Sequence, residues 1–251
     1  MITGAAVVPS PPLLARELTG RATVLPELRQ ACAIAVGRLL AGSHADVVAV
    51  VGGGPATQAW ACDDRLNLFA FAPGLAVSRK PRAVAASGGG GSGVLVGRPP
   101  GQPQLPLALG IGAALLDEAG YAGRRVLQAI ATTASPEECL RTGARLAELA
   151  PRVALLVVGD GSARCTPAAP GYFDQRAEEF GRSVESALRS GDMPALAALD
   201  VTLAAELLAT GRAAWQVLAG AAGQQSQVPG DVLYADAPFG VAYYVCVHDL
   251  Q

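Results

Sequence analysis

Three short apolar runs do most to constrain this chain: Ile2–Val8, Asp46–Val51 and Val153–Val158, each closed by proline or glycine. A run of this length that lacks polar alternation reads as a strand covered on both faces, the habit of parallel sheets flanked by helices. Longer stretches with apolar residues at helical spacing lie between them. Val24–Ala41 stops at Gly42, Leu105–Ala119 reads as a helix, and Ser135–Leu149 opens on Ser135-Pro136-Glu137-Glu138. That opening supplies an N-cap serine, a proline at the first helical position and a glutamate placed for a capping box. Strands are also expected at Leu66–Phe71 and Arg125–Ala131. Asp174 can cap a helix running to Arg189, and Asp200 another running to about Ala219. Val232–Tyr234 and Val241–Val247 read as a closing hairpin. The pattern predicts one α/β domain over residues 1–251, three-layer α/β/α around a parallel or mixed sheet. A Gly/Pro-rich flexible connection is expected at about 78–104, where Ser87–Gly93 and Pro99-Pro100 lie.

Composition narrows the function. With 51% hydrophobic residues, 16% charged and a formal net charge of −2, the chain can bury a core but lacks the basic surface of a nucleic-acid binder. No apolar stretch reaches the roughly 20 residues that span a bilayer. Met1–Pro12 lacks the basic start of a signal peptide, so the expectation is a cytoplasmic protein without membrane association. Five scattered cysteines without a Cys-x-x-Cys read as free thiols.

In open α/β sheets ligands gather beyond the carboxyl ends of the strands. The segments placed there are Pro9–Pro12, Gly52–Pro55, Gly159–Thr166 and Ala235–Gly240. Neither glycine run fits a phosphate cradle: no Lys-Ser or Lys-Thr follows Gly93, and Gly52-Gly53-Gly54 lacks dinucleotide-binding spacing. His44 and His248 are the only histidines and have no partners at metal-ligand spacing, and no Gly-x-Ser-x-Gly occurs. Asp160 ends the most hydrophobic strand, with Ser162 and Arg164 close behind. It either closes its own turn or faces a crevice. Arg212 and Trp215 share a turn of the last helix, where Trp215 reads as core.

Several segments together resemble the catalytic B subunit of class III extradiol ring-cleavage dioxygenases, the LigB-like family, especially its short actinobacterial members. They are Val8–Leu14, Asp46–Val51, Val157–Ser162, Thr166–Asp174 and Pro238–Tyr243, in family order from residue 1 to about 247. The resemblance implies an α/β fold and, in functional members, Fe(II) held by two histidines and a glutamate beside an acid/base histidine. Carried over position by position, the metal ligands fall on Ser10, Pro55 and Gly211, and the acid/base falls on Ala163. A further active-site histidine falls near Gly101. Proline, alanine and glycine offer no donor side chain, so the resemblance implies the fold without the iron chemistry.

The resulting expectation is a metal-free, non-catalytic homologue with no cofactor, using the crevice to bind a small aromatic or anionic ligand or a partner. Ser10, Pro55, Asp160, Ser162, Arg164 and Arg212 are the expected lining, with the arginines as anchors for an anion. The alternative is a divergent dioxygenase whose metal site is rebuilt from His44, His248, Asp160 or a cysteine. A third expectation is a homo-oligomer or partner subunit, with Val241–Val247 pairing across the interface.

Overall fold

The computed structural model describes residues 1–19, 24–61, 105–223 and 227–250. Its centre is a seven-stranded sheet of β1 (Ile2–Val8), β2 (Val47–Gly54), β3 (Gln58–Trp60), β4 (Arg125–Ala131), β5 (Val153–Val158), β6 (Asp231–Asp236) and β7 (Tyr243–Asp249). The strands lie side by side in the order β3-β4-β2-β5-β1-β7-β6. The inner four, β4, β2, β5 and β1, are parallel, whereas β3 and the β7–β6 hairpin pair antiparallel at the two sides.

Burial explains why the three apolar runs lack alternation. In β2, Val47, Ala49 and Val51 pack into the core on one face, while Val48 and Val50 pack into the core on the other. In β5, Val153, Leu155 and Val157 face one way, and Ala154, Leu156 and Val158 the other. Helices α2 (Pro26–Ser43) and α3 (Leu107–Glu118) cover one face; the short α1 (Arg16–Thr19) precedes them. The other face is covered by α4 (Pro136–Ala147), α5 (Arg176–Ser190), α6 (Met193–Ala197), α7 (Val201–Glu206) and α8 (Arg212–Ala222). The expected three-layer α/β/α domain with a mixed sheet is therefore the observed one.

Local signals act largely as expected, with informative departures. Ser135 caps α4, its hydroxyl accepting from the Glu138 N–H at 3.2 Å. The Glu138 carboxylate does not return the bond to complete a capping box. It accepts instead from the Thr57 hydroxyl, which itself accepts from the Ala131 N–H, so that α4 is tied to the end of β4. Asp174 bonds the Arg176 backbone and guanidinium, and Gln175 holds the cap position of α5. The single helix expected after Asp200 is two. Asp200 caps α7 through the Leu203 N–H, but the chain leaves the helix at Leu207, takes a left-handed conformation at Leu208 (φ 55°) and restarts at Arg212. The strand expected at Leu66–Phe71 and the connection at about 78–104 lie outside the described residues.

The α4–α8 contact depends on missing side chains. A Cβ on Gly143 would sit 2.1 Å from the Val217 carbonyl oxygen, and one on Gly220 would sit 2.3 Å from that of Leu140. Those approaches fall inside van der Waals contact, so the seam requires glycine at both positions.

Candidate functional site

The carboxyl ends of the parallel strands open into one crevice. Its walls are Ser10 after β1, Gly53, Gly54 and Pro55 at the end of β2, Thr132 after β4, and Val158, Gly159 and Asp160 from β5. Leu107 and Ala108 of α3 and Thr210 before α8 complete it, enclosing about 280 Å³. Drug-sized ligand sites run to about 300–1,000 Å³, so this volume suits a molecule of one ring or less.

Among the described residues, Asp160 is the only ionisable one in that lining. Its carboxylate accepts from the Ser10 backbone N–H at 2.6 Å and from the Ser10 hydroxyl at 3.2 Å. Its own carbonyl accepts from the Gly211 N–H at 2.8 Å, and its N–H lies 3.4 Å from the Thr210 hydroxyl. Asp160 thus joins the ends of β1 and β5 to the start of α8. A turn closed by Asp160 on its own loop is not formed; the side chain reaches Ser10 across the sheet. Although part of its surface faces the crevice, burial of the carboxylate lifts its pKa to about 6, and the Ser10 bonds pull in the opposite direction. The crevice opening and the deep desolvation are compatible, because one face of the carboxyl meets the cavity and the rest meets protein.

Glycine permits this arrangement at one contact above all. A Cβ on Gly159 would meet the Gly211 Cα at 2.4 Å, and one on Gly211 would meet the Trp215 ring at 2.4 Å. The β5 end and the α8 start touch backbone to backbone, and Trp215 fills the space behind them. Trp215 is fully buried and meets Tyr244 edge to face, with centroids 6.0 Å apart. The core placement expected for Trp215 is the observed one.

The six expected lining residues divide. Ser10, Pro55 and Asp160 face the crevice; Ser162, Arg164 and Arg212 do not line it. Ser162 is fully buried, its hydroxyl donating to the Leu207 carbonyl and accepting from the Arg164 N–H. Those bonds hold its side chain against Leu207 and away from the cavity lining. Arg164 follows Ser162 into a loop held by the Ala163–Leu207 and Gly171–Ala163 backbone bonds, and its buried Nε has no hydrogen-bond partner among the described residues. Arg212 is 2% exposed and turns beneath the crevice floor. Its guanidinium donates to the Ala134 carbonyl at 2.7 Å, to Gln216 Oε1 at 2.9 Å and to the Thr132 carbonyl. Burial lowers its pKa. Arg164 and Arg212 therefore do not serve as lining anchors for an anion, and among the described residues the one lining charge is negative.

Thr132, Thr210, Leu107 and Ala108 were missed by sequence reasoning. Thr132 and Thr210 could have been found only by knowing that β4 ends at Ala131 and that a helix begins at Arg212. Leu107 and Ala108 follow from α3 starting beside the end of β2, a tertiary relation without a local signal.

The residues present do not fit the iron of the resembling family. Position 10 is a serine whose hydroxyl is bonded to Asp160, position 55 is a proline, and position 211 has no room for a side chain beside Gly159 and Trp215. Among the described residues, no three His, Cys, Asp or Glu side chains gather around one point. The histidines are elsewhere. His44 ends α2 in a left-handed conformation (φ 42°), before β2 begins. His248 on β7 pairs with Ala5 of β1, five residues short of Ser10, or about 16 Å along a strand. Its ring is fully buried, with Nδ1 3.0 Å from the Val228 carbonyl and Nε2 3.5 Å from Cys246 Sγ. Burial lowers the His248 pKa and raises that of Cys246 to about 12. Gathering His44, His248 and Asp160 on one ion is incompatible with this fold. Cys32, Cys139, Cys165 and Cys246 are free thiols.

No family model and no curated protein matches the chain. Among solved structures it is similar to an uncharacterized protein from Escherichia coli, 12% identical over 98% of this chain and 99% of that one, with a TM-score of 0.50. That likeness extends end to end and shows a shared fold. No helix among the described residues is long and apolar enough to cross a membrane.

Proposed function

We propose that the chain is a metal-free, non-catalytic homologue of extradiol dioxygenase B subunits that binds a small molecule in the crevice at the carboxyl ends of β1, β2 and β5. The observation that carries this reading is the Ser10–Asp160 pair. Where the resemblance places a metal-binding imidazole, Ser10 instead donates two hydrogen bonds to a carboxylate. Ring opening by the extradiol route needs an open-sided metal to hold both catechol oxygens and O₂. The crevice offers hydroxyls, carbonyls and one carboxylate, a set suited to holding a ligand by hydrogen bonds.

Asp160 also refines the ligand. A phenol hydroxyl can donate to its free lone pairs, whereas a carboxylate ligand would meet like charge in a desolvated site. A small anion is thereby disfavoured, and a single-ring hydrogen-bond donor is favoured.

Two assays test the reading. Protein incubated anaerobically with Fe(II) and then given catechol and O₂ is expected to produce no ring-opened product by absorbance. Phenol added to ¹⁵N-labelled protein is expected to shift the amide signals of Ser10, Gly53 and Asp160. Stoichiometric turnover of catechol would overturn it.

A further inference from the structure

We propose further that the crevice selects a small organic cation, a protonated amine on a single ring or a short chain, with Asp160 as its counter-ion. The inference rests on the reading that the crevice is a binding site, and it narrows the ligand class. Asp160 is a carboxylate facing a cavity, and among the described residues no arginine, lysine or histidine pairs with it. Among the described residues other acids do pair with arginine, as in Arg152–Asp46, Arg176–Asp174 and the more buried Arg125–Asp117. Among the described residues the Asp160 carboxylate is held by Ser10, whose N–H and hydroxyl occupy two of about four acceptor sites. Asp160 itself lines the cavity, so a bound ligand can reach the carboxylate.

The rest of the lining agrees with a donor-rich ligand. Thr132 and Thr210 present hydroxyls, and a Cβ placed on Gly53 would lie 3.2 Å from the Thr210 carbonyl oxygen, so that acceptor borders the same space. Leu107, Ala108 and Pro55 supply apolar walls for a ring or alkyl body. An ammonium with three donors can satisfy the carboxylate and one or two of these oxygens together. Buried charges persist when they are paired, and a cationic ligand supplies the pairing that the chain leaves open.

The binding has a pH signature. The titratable groups that feel Asp160 are Cys32 on α2 and Tyr243 on β7. Burial pushes Cys32 up to about 12 and Tyr243 higher still, so both stay neutral while Asp160 titrates near 6. Amine affinity is therefore present above that value and lost as pH falls through it, while the amine itself stays protonated.

The test compares three ligands of one shape, benzylamine, benzyl alcohol and benzoate, by amide chemical-shift titration at pH 7.5 and pH 5. The expected order at pH 7.5 is benzylamine ahead of benzyl alcohol by at least about tenfold, with benzoate weakest. Asp160→Asn and the drop to pH 5 should each remove most of the benzylamine advantage. Asp46→Asn, which removes a carboxylate from a surface ion pair outside the crevice lining, should retain it. Benzyl alcohol or benzoate binding as tightly as benzylamine at Ser10 and Gly53 would overturn the cation inference and leave the binding site standing. Absence of shifts at the crevice with all three ligands would overturn the binding reading itself.

Discussion

Asp160 combines a structural cost with the site it creates. Its pKa is raised to about 6 from an ordinary 3.8, so the folded chain holds this proton more tightly than the unfolded chain. The sign follows by linkage: the fold is favoured below the unfolded value, and stability is lost as pH rises through the folded one. Asp160→Asn is therefore expected to be more stable than the parent at pH 7.5, by ~1–3 kcal/mol, with the gap closing below about pH 4. Urea denaturation at both pH values measures it, and an Asn variant that is less stable at pH 7.5 contradicts the burial argument. His248 acts in the opposite sense. Its pKa is lowered by burial, so the stability it supports is present above the ordinary histidine value and lost as pH falls below it. His248→Gln, which can still bond the Val228 carbonyl, should flatten the decline in stability below about pH 6.5. Arg212 is a buried cation whose donors hold the Ala134 and Thr132 carbonyls and Gln216. Arg212→Met should cost about 2–4 kcal/mol, because those acceptors lose their partners. A crevice position for Asp160 was one of two readings the sequence allowed, since an acid after an uninterrupted apolar strand either closes its own turn or stands where crevices form. The inward turn of Arg212 was not legible, because a helix-start arginine carries no local mark of burial.

At the scale of elements, the sequence marked what local chemistry controls. Ser135-Pro136 located the start of α4, and the unbroken valine runs of β2 and β5 announced strands covered on both faces. Tertiary contacts decided the rest. Nothing local in Leu207–Gly211 separates α7 from α8 except the glycine, and the break is needed so that the Gly211 N–H can reach the Asp160 carbonyl. β3 has only three residues and is held by β4, too short for a pattern. The apolar Val241–Val247 run suggested an edge able to pair across a dimer. Its strand β7 is instead interior, hydrogen-bonded to β1 on one side and β6 on the other, so no edge is left to share. The α4–α8 seam yields a sharp expectation. Gly220→Ala places a methyl group 2.3 Å from the Leu140 carbonyl and should destabilise the fold by about 2–3 kcal/mol, whereas Gly37→Ala on α2, with open space at its Cβ, should be neutral or slightly stabilising. Paired urea titrations check both.

For the whole molecule, the strand ends onto which the resemblance would place a metal open into a crevice, with no cluster of metal-ligating side chains among the described residues. Gly159 and Gly211 meet where a ligand carboxylate would project, Trp215 fills the volume behind them, and Ser10 and Asp160 satisfy each other across the gap. On the proposed reading, a crevice organised in this way binds by hydrogen bonding and charge. It also resists simple reversion: combining Ser10→His, Pro55→His and Gly211→Glu should fail to create a tight iron site, because the glutamate at 211 must first displace Trp215.

The measurement closest to the central claim is metal content by mass spectrometry, on protein purified without chelator and then incubated anaerobically with Fe(II), Mn(II) and Zn(II). After removal of free ions, the metal-free reading predicts well below one-tenth of an equivalent of each metal per chain, unchanged in Asp160→Asn. One tightly held ion per chain, lost in Asp160→Asn, would place a metal in the crevice and contradict it.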